Sequence, residues 1–169
     1  MTLPPRRPFD DPLPAGSARL LPWTSVMAGS LVTILPWGAT LPVLPPFGLL
    51  MMLSWRLLAP LSLRSWAPSM LGLFDDLVSG QPIGSAMMLW TAVFFLVEAL
   101  DARSGVRDFV QNWAIAAVAI ALCLAGGRLV ATPLGAHVDS VLWLQIVISI
   151  LLFPATARLV AWIDLKRVV

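Results

Sequence analysis

Residues 66–84 read Trp66-Ala67-Pro68-Ser69-Met70-Leu71-Gly72-Leu73-Phe74-Asp75-Asp76-Leu77-Val78-Ser79-Gly80-Gln81-Pro82-Ile83-Gly84. The run is mostly apolar and lies between longer apolar segments, yet Asp75 and Asp76 stand side by side near its middle. Pro68, Gly80, Pro82 and Gly84 bound it. A carboxylate at membrane depth costs about 2.5–3.5 kcal/mol on insertion scales, so two adjacent ones need a reason.

The surrounding chain makes membrane depth the right setting. Of its 169 residues 59% are hydrophobic and only 12% charged, and mean hydropathy is +0.87. A soluble domain is about 45–50% apolar and about 25% charged. The composition therefore indicates an integral membrane protein of one domain. A single cysteine, Cys123, excludes an intrachain disulfide and a cysteine metal cluster. A single histidine, His137, cannot build a histidine metal site alone. The net charge of +2 does not imply nucleic acid, because the basic residues are scattered.

Outward from the opening stretch, six apolar segments are expected at about 20–42, 46–61, 66–79, 84–101, 111–131 and 140–163. A span needs about 20 residues. The first, fifth and sixth are long enough, the fourth just suffices and the second is slightly short. The third is too short for a straight span, so it is a tilted, bilayer-thinning helix or part of a broken one. Pro36 and Pro154 should kink the first and sixth helices. Residues 1–18, rich in proline and poor in apolar groups, read as a disordered tail ahead of a six-helix transmembrane domain at 19–169.

Basic residues orient the bundle. With six spans, ten of the eleven fall on one side, Arg128 being the exception. The positive-inside rule then puts both termini in the cytoplasm. Trp23, Trp55, Trp66, Trp113 and Trp162 fall near the same helix ends and Trp37 and Trp143 near the opposite ones, as headgroup-level indoles do.

No motif speaks for an enzyme. The Gly-x-Gly-Asp of an intramembrane aspartyl protease, His-Glu-x-x-His and the P-loop glycines are all missing. No nucleophile has a base partner, so no catalytic residue, metal or cofactor is expected. Asp75 and Asp76 project about 100° apart on a helix and need not share one site. They read either as an ion-coupling pair or as structural groups near the turn that follows. Arg56, Glu98 and Arg158 lie about a turn inside the basic ends of helices 2, 4 and 6. They either snorkel to the headgroups or form an interhelical pair between Glu98 and one arginine. In helix 5, Ala114, Ala117, Ala121 and Ala125 form a small-residue stripe suited to close helix packing. Arg103 and Arg107 lie in the most charged internal connection and are candidates for cytoplasmic contact.

The stretch Gly72-Leu73-Phe74-Asp75-Asp76-Leu77-Val78-Ser79-Gly80-Gln81-Pro82-Ile83-Gly84 resembles the Gly-Leu-x-x-Asp-Leu-Leu-x-Gly-x-Pro-Leu-Gly stretch of MreD, the bacterial rod shape-determining membrane protein family. The match sets the family aspartate on Asp76 and the family's small and turn positions on Gly72, Gly80, Pro82 and Gly84. Asp75 is an additional acid. Upstream, Pro46 to Pro60 with Trp55-Arg56 near its end is similar to the family's second helix.

The resemblance implies a non-enzymatic scaffold of the cell-elongation complex in the bacterial inner membrane. The implied partners are MreC, MreB, RodA and a penicillin-binding transpeptidase, among membrane lipids and without nucleic acid. It also implies a fold similar to the six-helix substrate-binding subunits of energy-coupling-factor transporters. A small-molecule, vitamin-type transporter subunit is the alternative, and it requires a polar pocket opening outward.

Overall fold

The structure is a computed structural model that describes residues 20–33, 44–103, 108–131 and 140–168. Among them it is all-helical: α1 (Leu20–Val32), α2 (Phe47–Leu58), α3 (Ala67–Ser79), α4 (Ser85–Arg103), α5 (Phe109–Ala131) and α6 (Ser140–Val168). The proline-rich tail at 1–18, the Pro36 kink, Trp37 and His137 lie outside the described residues.

α2 is the centre of the packing. Its sequence is apolar all round, and a helix of that kind has no face to give to water. Every residue from Gly48 to Arg56 is buried, against α1, α4, α5 and α6. It stops short of the expected Leu61 because Pro60 disfavours helical backbone at the residue before it. Ala59 accordingly leaves the helix at φ −133°, ψ 73°.

α5 and α6 are long and apolar enough to cross a membrane. Only 22% and 33% of their most apolar windows are buried, which is not how the core helix of a soluble protein sits. Val118, Leu122, Leu144 and Leu151 face outward instead. α6 runs through Pro154 without a break. Pro154 has no N–H for the carbonyl of Ile150, four residues earlier. The indole N–H of Trp113 on α5 donates to that carbonyl at 3.0 Å.

The tryptophans divide by role more than by height. Trp66, Trp143 and Trp162 are exposed, as headgroup-level rings would be. Trp55 is fully buried, and its indole donates to the Ser25 hydroxyl at 2.8 Å. It joins α2 to α1, a role that its position near a helix end does not reveal.

Candidate functional site

α3 enters with Pro68 in its first turn and ends at Gly80, whose φ of 68° is left-handed. Glycine adopts that conformation without a Cβ penalty. Gly84 repeats the device at φ 97°, so the chain reverses over a few residues and α4 returns beside α3. Between the two helices, a Cβ on Gly72 would lie 2.7 Å from the Met87 Cα. Only glycine permits that approach. One turn earlier on α3, Ser69 and Thr91 of α4 share a hydrogen bond of 2.9 Å.

Asp76 lies four residues after Gly72 and therefore on the same helix face. Its side chain is enclosed, at 1% exposure. Oδ2 accepts the Gly84 N–H at 2.9 Å and the Met87 N–H at 3.2 Å. Oδ1 accepts the Ala86 N–H at 2.8 Å and the Ser85 hydroxyl at 2.9 Å. The first N–H groups of a helix have no acceptor inside it. Here the Ser85 N–H donates to the Pro82 carbonyl, and Asp76 takes the donors on either side. The carboxylate also places its negative charge at the positive end of the α4 dipole. A carboxylate has about four lone-pair positions, and four donors use them.

Gly72, Asp76, Gly80, Pro82 and Gly84 thus meet in one helical hairpin. Asp75, turned away from Asp76, lines a cavity of about 230 Å³ at this end of the bundle. Gln81, Arg128 and Gln145 supply its other polar wall, and Leu49, Trp90 and Cys123 part of its apolar one. Oδ1 of Asp75 stands 3.3 Å from where a Cβ on Gly48 would be, so this side chain reaches towards the α2 backbone. Gln145 was missed in the sequence; a lone amide within the apolar run of helix 6 was the available signal.

The ion pair at the other end corrects an expectation. Arg56, only 5% exposed, bonds Asp101 rather than Glu98, with Nη2 to Oδ2 at 3.0 Å. Its guanidinium also lies 4.8 Å from the centre of the Phe94 ring. Helical phase is the reason. The inward stripe of α4 is Trp90, Val93, Phe94 and Val97, which Asp101 continues four residues on. Glu98 is one residue out of phase and exposed, and Arg158 is exposed on α6. Arg103 is the last residue of α4, and Arg107 lies outside the described residues.

Among the described residues no group of three or more His, Cys, Asp or Glu side chains could hold a metal ion. The Cys123 thiol is buried beside the Leu89 carbonyl. No protein-family model matches the chain, and no curated protein or solved structure matches it either.

Proposed function

We propose that this chain is a six-span scaffold of the bacterial inner membrane that works by holding partner proteins, as its resemblance to MreD implies. The observation that carries the reading is the use made of Asp76. The acid of the motif is enclosed and occupied by four donors from the start of α4. A carboxylate so engaged holds two helices together and has no lone pair left for an ion or a substrate proton. The motif is therefore architectural.

The lengths of α4, α5 and α6 fit the membrane part of the proposal. At 1.5 Å per residue α5 spans about 34 Å and α4 about 28 Å, against a hydrocarbon core of about 30 Å. α2 and α3, of 12 and 13 residues, are short members at about 18 and 20 Å, and the short α3 leaves the α3–α4 turn below the outer surface. The positive-inside rule places both termini in the cytoplasm.

In this reading MreC is held through helical faces within the membrane, and the cytoplasmic connections, with Arg103 and Arg107, face MreB. RodA and its transpeptidase belong to the same assembly. A groove of about 560 Å³ between α1, α2 and α6 is lined by Phe47, Met51, Leu152 and Leu159, with the small residues Ala28, Gly29 and Ala155 among them. Small residues of that kind let a further helix come close.

The test is purification of the complex from native membranes in mild detergent. Recovery of MreC is expected. Recovery of transporter ATPase subunits in its place overturns the proposal. Depletion of the protein from cells should also abolish rod shape.

A further inference from the structure

The cavity at the α3–α4 end plays no part in the clamp made by Asp76. Five helices or their ends build it: α2 through Leu49, α3 through Asp75, α4 through Trp90, α5 through Arg128 and α6 through Gln145. The scaffold proposal gives it no task.

We propose that it binds a small zwitterion, a molecule with an ammonium and an acidic group a few bonds apart, supplied free or as the headgroup of a phospholipid. The lining selects that class. Asp75 has the Ser30 hydroxyl beside it. A carboxylate at membrane depth is stabilised further by a cation, and Asp75 shares its cavity with the ring of Trp90, an aromatic type that also attracts cations. A bare cation, however, meets Arg128 in the same cavity, and a bare anion meets Asp75. A molecule carrying both charges satisfies both walls. Arg128 has an interaction of its own, and the acidic group takes those of its five N–H donors that face the cavity. Gln145 is held ready, its Nε2 donating to the Leu44 carbonyl at 2.7 Å.

Size narrows the class. A cavity of about 150 Å³ accommodates benzene. By proportion, 230 Å³ takes about nine non-hydrogen atoms. That is the size of a phosphoethanolamine headgroup or a small amino acid, and below that of a typical vitamin.

The inference does not depend on the scaffold reading, and its test leaves partner recovery aside. The full chain is purified and its retained lipid compared by native mass spectrometry in phosphatidylethanolamine and phosphatidylglycerol. Its melting temperature is measured with soluble O-phosphoethanolamine and with glycine. The expected result is preferential retention of phosphatidylethanolamine, a rise in melting temperature with a soluble zwitterion, or both. Retention alone identifies the lipid headgroup as the source, and a soluble response identifies the free molecule. Asp75→Asn and Arg128→Gln should each weaken binding about tenfold or more, whereas Arg158→Gln, on the exposed side of α6, should not. Arg128 is exposed, so its variant carries the test if Asp75→Asn does not fold. Equal retention of the two lipids with no response to either soluble probe overturns the proposal, as does wild-type binding by folded Arg128→Gln.

Discussion

The Trp113 indole donates its N–H to the Ile150 carbonyl at 3.0 Å, the carbonyl that Pro154 leaves without its helical donor. A proline inside a helix and an indole on the next one therefore compensate each other. In a membrane, where water does not reach the backbone, a neighbouring helix is a usual source of that repair.

Trp113→Phe keeps an aromatic ring and removes the donor. It should destabilise the purified protein by about 1 kcal/mol, the usual worth of such a bond. In a Pro154→Ala background the Ile150 carbonyl regains a helical donor, and the same substitution should cost less. Unfolding midpoints of the four proteins in detergent measure the difference. Equal costs in both backgrounds would show that the two residues are uncoupled.

Asp76→Ala leaves the start of α4 without its acceptors. A loss of about 2–4 kcal/mol is expected, from about 1 kcal/mol for each of several lost bonds. Asp75→Ala, at the neighbouring position, should cost clearly less. Thermal melts of both variants rank them, and matched, negligible effects would end the architectural reading of the motif.

Gly72 and Gly80 should fail for different reasons. Gly72→Ala drives a methyl group to within 2.7 Å of the Met87 Cα, and overpacking of that kind costs about 1–3 kcal/mol. Gly80→Ala meets open space and should lose only about 1–2 kcal/mol, from its left-handed backbone. A cysteine crosslink from Ser69 to Thr91 should resist the helix separation caused by Gly72→Ala and leave the Gly80 variant unrescued. Crosslinked and reduced melting curves give the comparison.

Arg56 and Asp101 should couple in a double-mutant cycle by about 1–2 kcal/mol. The half-exposed carboxylate, 35% accessible, keeps this below the value of a fully buried pair. The same cycle between Arg56 and Glu98 should give no coupling. Stronger coupling to Glu98 than to Asp101 would reverse the assignment.

The six helices were legible because helix formation is announced locally. Long apolar runs, the proline at Pro60 and the glycines at Gly80 and Gly84 mark starts and stops from neighbouring residues alone. The extent of α6 was less legible. It continues beyond residue 163 to Val168, because Asp164, Lys166 and Arg167 end the apolar run without ending the helix. The spacing of Gly72 and Asp76 placed them on one face, four residues apart, before any packing was known.

The sequence by itself determined that the chain is apolar and helical, where its segments turn, and on which segments its few charges sit. Only the tertiary structure decided what those charges meet. Asp101 in place of Glu98 opposite Arg56, the α4 N–H groups around Asp76, Trp55 in the core and the shared cavity of Asp75 and Arg128 all depend on how each helix is rotated about its axis. Rotation is set by side chains packing against other helices, and one residue of phase turns a position by about 100°. No local pattern carries that information when a helix is apolar on every side.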